Sequence, residues 1–462
     1  MNNKMQISQL LLMALIAIGL SAIIFISCNA AKKKKAVVSH VVHPEWSRNA
    51  IIYEVNVRQY TPQGTFSAFE EHLPRLKDLG VDILWFMPIH PIGQKNRKGE
   101  LGSYYSVRDY TAVNPEFGSM DDFKRIVDQA HSLGMYVVLD WVANHTAWDH
   151  DWITSHPEWY ARNEQGEMIA PFDWTDVAKL DYDKPGMRPA MTDALKFWIS
   201  EADIDGYRCD VAAEVPSGFW NNVRMELDSL KPVFMLAESE EPEHHIHAFD
   251  MSYAWELHHI MNGIAKGEKK STHLDKYFLK HDTLFPDDAY RMLFITNHDE
   301  NSWNGTAFER LGEAVETFAM LTFTLPGMPM IYSGQEAGLN KRLSFFTKDT
   351  IEWGDYKYAG FYRKLADLRK ENQALWSGGA GGDLKKIKTN DEAIYAFIRQ
   401  VENNKVVVLV NLSDREREFT IKSKGYNILM TDYLTGEEIM LETGKSFILG
   451  KWAYRILLSS SQ

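Results

Sequence analysis

The chain has 462 residues, 45% of them hydrophobic, which is too long for one small domain and ample for a large core with an accessory domain. Its formal net charge is -13, so there is no electrostatic reason to bind nucleic acid. Aromatic residues make up 12% of the chain; they would suit the flat faces of sugars, and equally a large aromatic core.

The first 28 residues, MNNKMQISQLLLMALIAIGLSAIIFISC, place one lysine in front of an apolar run over 10–26. This reads as an export signal. The run ends Phe25-Ile26-Ser27-Cys28. That end resembles a bacterial lipobox, in which a small residue precedes a cysteine that takes lipid and becomes the mature N-terminus; Phe25 stands where leucine is usual. The expectation is a signal peptide over 1–27, a lipidated Cys28 and a tether over 28–45 with lysines at 32–35. Such a protein is exported and anchored to the periplasmic or cell-surface face of a bacterial membrane without spanning it. The rival is an uncleaved transmembrane helix, whose trailing lysines would keep the rest of the chain in the cytoplasm. With Cys28 lipidated, Cys209 has no partner, so no intramolecular disulfide is expected and Cys209 reads as an inert buried thiol.

Further along, strand patterns at 51–55, 81–87 and 135–140 alternate with helical spacing at 67–79 and 120–133. Residues 146–180 are polar and aromatic without period, and form an excursion after strand three. A helix pattern at 187–201 leads to the run 205–214, DGYRCDVAAE, and further strands follow at 233–237, 249–253, 292–296 and 330–332. Eight strands alternating with helices predict an α/β fold, a (β/α)8 TIM barrel over 46–375. A glycine-rich break, SGGAGG at 377–382, precedes short alternating runs at 393–399, 405–410, 418–421, 446–449 and 454–457. These predict a C-terminal all-β sandwich domain over 376–462.

The run 205–214 carries an arginine and an aspartate two places apart. In a strand, Arg208 and Asp210 share a face and Cys209 points the other way. Alone, such a pair is most simply a structural ion pair. Similar polar clusters end three other strands: Asp140 with Asn144 and His145; Glu238; and Asn297, His298, Asp299 and Glu300. In a barrel these ends converge on one mouth. Carboxylates and histidines without a Cys/His metal set point to glycoside chemistry, which needs a protonated acid at the leaving oxygen and an ionised carboxylate at the sugar carbon. Arg208 is expected to keep Asp210 ionised as the nucleophile. Glu238 follows an apolar run, where desolvation would suit it to be the acid. Asp299 could hold sugar hydroxyls that shift in the transition state.

The segments DWVANH, GYRCDVAAE, FMLAESE and FITNHDEN resemble, in order, the four conserved regions of the alpha-amylase family of glycoside hydrolases, family 13. GSYYSVRDYTAVNPEFGS and LPGMPMIYSGQEAG resemble that family's segments after strand two and through strand eight, so the resemblance runs over nearly the whole chain after residue 46. It implies a retaining hydrolase of α-1,4-glucosidic bonds in starch-like glucans or maltooligosaccharides, working through a covalent glycosyl-enzyme intermediate. In that reading Asp210 is the nucleophile, Glu238 the acid/base and Asp299 the transition-state stabiliser. Arg208 orients Asp210, His145 and His298 bind hydroxyls of the sugar being cleaved, and Tyr105 stacks on its face.

Ala213 and Glu214 stand where many alpha-amylases carry Lys-His. The VAAE run is similar to the neopullulanase and cyclomaltodextrinase branch, in which a glutamate, here Glu214, holds the acceptor-side sugar. That branch's additional N-terminal domain is missing ahead of Trp46 and the excursion is short, so an open cleft and a monomer are expected. Asn144 matches a position that often binds calcium in the family; an Asp-rich loop for a second calcium is not visible in 56–67, and no organic cofactor is expected. Trp141, Trp174 and Trp303 could add stacking surfaces or pack in the core. Two other functions share these features: a transglycosylase on the same site, and a non-catalytic glucan-binding lipoprotein, which would be expected to lack one of the three carboxylates.

Overall fold

The computed structural model describes residues 38–459. Eight parallel strands close into a barrel in chain order: β1 Ile52–Val55, β2 Ile83–Phe86, β3 Tyr136–Trp141, β4 Gly206–Cys209, β5 Phe234–Ala237, β6 Met251–Tyr253, β7 Tyr290–Leu293 and β8 Met328–Tyr332. Strand alternation sorts the side chains. Ile52, Ile83, Val138, Phe234, Met251 and Met330 fill the interior. Their neighbours Tyr53, Leu84, Val137, Tyr207, Met235 and Ala237 face outward into the layer of helices. One inward step above the apolar layer, the register sets Asp140 beside Arg208. At the opposite end Trp46 closes the barrel, stacked on Tyr136 with ring centroids 3.8 Å apart.

Gly206 fixes a critical register. Its φ is +150°, and a Cβ there would sit 1.8 Å from the Phe234 carbonyl oxygen. Only glycine lets β4 and β5 approach this closely. The pairing Cys209↔Ala237 then brings the next two residues, Asp210 and Glu238, side by side at the mouth.

Two elements differ from expectation. The helical pattern over 67–79 is two helices, Phe66–Glu70 and Leu73–Leu79, with a proline in the first turn of the second. There it starts a helix at no cost, whereas inside one long helix it would remove a hydrogen bond. The seventh strand is Tyr290–Leu293, earlier than 292–296; Phe294, Ile295 and Thr296 stay buried but leave the ladder. The excursion contains a hairpin of His145–Ala147 against Val177–Lys179.

Eight further strands follow the barrel: β9 Lys385–Ile387, β10 Ile394–Val401, β11 Asn404–Asn411, β12 Arg417–Thr420, β13 Asn427–Asp432, β14 Glu438–Glu442, β15 Ser446–Leu449 and β16 Tyr454–Ser459. Six form one antiparallel sheet in the order β9-β10-β11-β16-β13-β14, and β12 pairs with β15. Ile394, Ala396, Val407 and Leu409 pack with Phe419 and Leu449 between these layers. The other face of the sheet, with Tyr395, Phe397, Val406 and Val408, joins the barrel's helical layer. The buried Arg399 donates across that junction to the carbonyls of Leu325 and Trp376.

Among the described residues no helix is long and apolar enough to cross a membrane. The expected signal peptide and the Cys28 lipid site lie outside the described residues.

Candidate active site

Arg208 sits buried at the centre of the barrel mouth, its guanidinium 5.2 to 5.7 Å from the ring centroids of Trp85, Tyr253 and Tyr105. Its Nη1 donates to Asp140 Oδ1 at 2.8 Å and to Asp210 Oδ1 at 3.0 Å, and its Nε donates to the Tyr253 hydroxyl at 3.2 Å. Nη2 lies 2.9 Å from Glu238 Oε2 but out of line for a hydrogen bond. Glu238 Oε2 instead accepts from the Val211 backbone N–H at 2.8 Å. One guanidinium thus faces three carboxylates, and an excess of negative charge is concentrated around it.

That excess bears on Asp210. Burial, which was expected to act on Glu238, falls harder on Asp210: their side chains are 14% and 9% exposed. Desolvation raises the Asp210 carboxyl well above its ordinary range; Arg208 opposes this, while Glu238, Asp140 and Asp299 add to it. Arg208 favours the charged form of Asp210, but Asp140 and Glu238 draw on the same cation.

Val211, immediately after Asp210, has φ +36° and ψ +48°. A β-branched residue in the left-handed region is strained by roughly 1–3 kcal/mol. The strain turns its N–H toward Glu238, and the Ala212 N–H meets the Glu238 carbonyl at 3.2 Å. The nucleophile and acid candidates are therefore locked to each other through the backbone as well as through Arg208.

The opposite wall is a hydrogen-bonded chain. Tyr105 Oη donates to Asp140 Oδ2 at 3.0 Å and lies 2.8 Å from His298 Nε2. His298 Nδ1 meets Glu54 Oε1 at 2.5 Å. Burial would neutralise His298, but Asp299 and Glu54 outweigh it and pull its pKa up to about 9. His145 behaves oppositely: burial pushes it down to about 3, so it is a neutral imidazole.

Tyr105, His145, Asp210, Glu238, His298 and Asp299 all line one cleft of about 400 Å³. Phe172 and Trp174 flank one side, with centroids 4.8 Å apart. On the other side Trp303 lies 5.3 Å from Phe345, whose ring stacks within 14° of Tyr105. Asn301 and Ser302 tie the 300–304 turn to the carbonyls of Lys341 and Leu343, which sets this aromatic wall.

Other expected residues lie elsewhere. Glu214 is outside the cleft lining, exposed and paired with Lys179 Nζ at 3.3 Å. Trp141 is wholly buried in the core. Cys209 is buried, and desolvation pushes its thiol well up, which makes it inert. Asn144 is buried, its amide against the His145 ring at 3.3 Å and its carbonyl accepting from Leu180 N–H. A hard cation needs several converging oxygens, and among the described residues no group of three metal-ligating side chains is present.

Sequence reasoning passed over Glu54, Phe345, Phe346 and Lys98, although each lines or supports the cleft. Glu54 did carry a signal: it is the single charge in the buried strand IYEV.

Acid and nucleophile candidates on adjacent strand ends, a cation between them and aromatic walls beside them define a barrel enzyme built to break sugar linkages. The profile of the family "Alpha amylase, catalytic domain" matches residues 45–177 and 154–357. Alpha-amylase MalA of Haloarcula japonica is 29% identical over 390 residues, covering 80% of this chain and 56% of that protein. The chain thus spans little more than half of that relative. Neopullulanase 2 of Thermoactinomyces vulgaris is 25% identical over 464 residues, covering 87% of this chain and 76% of its own. Among solved structures, a noncanonic maltogenic alpha-amylase, AmyB from Thermotoga neapolitana, superposes with a TM-score of 0.82 at 29% identity, covering 90% of this chain and 99% of its own. The chain belongs to the alpha-amylase family of glycoside hydrolases.

Proposed function

We propose that the protein is a retaining hydrolase of α-1,4-glucosidic bonds in starch-like glucans or maltooligosaccharides. The observation that carries this is one guanidinium bridging two carboxyl groups, Asp210 and Glu238, at the floor of an aromatic-walled cleft. A retaining mechanism needs its two carboxyls roughly 5 Å apart, closer than an inverting one, which must admit a water between carboxylate and sugar. The names of the similar proteins, alpha-amylase, maltogenic alpha-amylase and neopullulanase, favour the α-glucan class.

The chemistry then runs on this chain's own groups. Glu238 gives its proton to the glycosidic oxygen while an Asp210 oxygen bonds to the sugar's anomeric carbon. The bond to the leaving oxygen breaks and the acceptor-side sugar departs. Glu238 next takes a proton from water, whose oxygen displaces Asp210 from the anomeric carbon. Two inversions return the starting configuration. Asp299, with the cationic His298 Nε2 3.4 Å from its Oδ2, holds hydroxyls of the distorted sugar. His145 binds as a neutral donor and acceptor, and Tyr105 supplies a stacking face.

The test is incubation of the chain from Ala36 onward with maltoheptaose, soluble starch and pullulan, with products followed by NMR. Short products with α-anomeric ends are expected, and their ranking selects between amylase-like and neopullulanase-like use. β-Anomeric first products would overturn retention, and products longer than the substrate would make the enzyme a transglycosylase. The membrane anchor is likewise a proposal, carried by the sequence around Cys28: Cys28→Ala should move the protein from the membrane to the soluble fraction.

A further inference from the structure

Glu54 lies one inward step above Ile52 in the barrel interior and is wholly buried. Its Oε1 meets His298 Nδ1 at 2.5 Å, while Oε2 has no partner among the described residues. From there a chain runs through His298 Nε2 to the Tyr105 hydroxyl (2.8 Å), to Asp140 Oδ2 (3.0 Å), and by Asp140 Oδ1 to Arg208 Nη1 (2.8 Å), which also holds Asp210.

The hydroxyl of Tyr105 has one proton and two neighbours that can accept it. If His298 Nε2 is bare, the nitrogen competes with Asp140 for that proton. If Nε2 carries a hydrogen, it donates to Tyr105, and Tyr105 gives its own proton to Asp140. Asp140 keeps a second donor, Trp85 Nε1, at 3.2 Å. With the Nδ1 hydrogen given to Glu54 Oε1, Nε2 carries a hydrogen only in the imidazolium, so the protonation of His298 decides which way the chain points.

We propose that Glu54 is a positioning residue that holds His298 as the imidazolium and so orders the chain His298 to Tyr105 to Asp140 toward Arg208 and the nucleophile. The role of that chain in turnover rests on the hydrolase reading above. Around His298 stand Glu54 on β1, Asp140 on β3, Arg208 on β4, Tyr105 from the loop after β2, and Asp299 on its own segment. Arg208 disfavours the imidazolium and the carboxylates favour it. Burial raises the Tyr105 phenol well above its ordinary range, so it keeps a proton to donate. As a group raised by its partners, His298 is charged below its pKa of about 9 and loses the charge as pH rises through it.

The test is an NMR titration of histidine-labelled full chain, with the His298 signal assigned by its loss in His298→Gln. A His298 midpoint near 9 is expected in the wild type, falling by at least about one pH unit in Glu54→Gln, with the alkaline limb of kcat for maltoheptaose moving down with it. A wild-type midpoint at or below about 6.5, the unperturbed value, contradicts the proposal without any variant. A folded Glu54→Gln protein with an unmoved midpoint also overturns it. A moved midpoint in a protein that never turns over glucan would support the pairing and sink the hydrolase reading instead.

Discussion

Two buried arginines organise the two ends of the barrel, and they are treated differently. At the lower end Arg224 uses every nitrogen: Nε to Asp228 at 2.7 Å, Nη1 to Asp250 at 2.8 Å and to the Ala248 carbonyl, and Nη2 to the Val42 carbonyl. Asp250 is satisfied in turn, by His43 Nδ1 and by the Met235 N–H, both at 2.8 Å. At the mouth Arg208 is shared among Asp140, Asp210 and Glu238, with one nitrogen out of line, and unpartnered Glu54 Oε2 lies behind them. The closed network ties the segment entering the barrel to its wall. The open one stores unsatisfied charge and a strained Val211 where a substrate would arrive. Incompletely paired charge beside a strained backbone and an open cleft is the mark of a site that must do chemistry.

Substitutions can break this contrast, and the largest effect is expected at Asp210. Asp210→Asn should lose roughly 10⁴-fold or more in kcat, as removal of a nucleophile commonly does. It should also fold at least as stably as the wild type in thermal denaturation. A carboxyl whose pKa is raised on folding weakens the native state above its unfolded pKa, and the amide removes that burden. Substantial residual turnover would sink the assignment. The mirror-image change is Asp250→Ala at the lower end. Breaking one partner of a buried pair should cost about 3–5 kcal/mol in denaturant unfolding while leaving kcat of the folded protein unchanged. A large drop in kcat there would erase the distinction between the two ends.

Smaller effects sharpen the picture. Trp303→Ala, which removes a half-exposed ring from the cleft wall, should raise KM for maltoheptaose several-fold, about 1 kcal/mol of buried surface. It should change kcat little. The acid limb offers the finest test. Because Asp210 is raised, lowering the pH should protonate it earlier than an ordinary carboxylate. The activity should therefore fall on the acid side above the usual carboxylate range, and an acid limb at or below about 4 would contradict this.

Much of the barrel was legible because its signal is local: strand patterns of buried residues, separated by helical spacing, need no knowledge of what they face. The boundary of the seventh strand was not, since burial persists through Phe294 and Ile295 after pairing stops. The strands β9, β13 and β14 were missed, and scarce burial is not the reason, because β12 and β15 bury one residue each and were read. Within the site, Asp210, Glu238, Asp299 and the histidines end apolar runs and stand out. Phe345 and Phe346 sit in a loop without periodicity, placed by hydrogen bonds from the 300–304 turn. The competition for Arg208 was not legible for a related reason: Arg208 and Asp210 are close in sequence, but the competitors Asp140 and Glu238 reach the same guanidinium only through the fold.

The central claim is that Asp210 becomes covalently bonded to the sugar. The most direct measurement is intact and peptide mass spectrometry of the Glu238→Gln protein after brief exposure to α-maltosyl fluoride, whose leaving group needs no acid. Without its base the variant should accumulate one maltosyl unit, located on the peptide that contains Asp210. An adduct on any other carboxylate, or fluoride release with no adduct and a β-anomeric product, would contradict it.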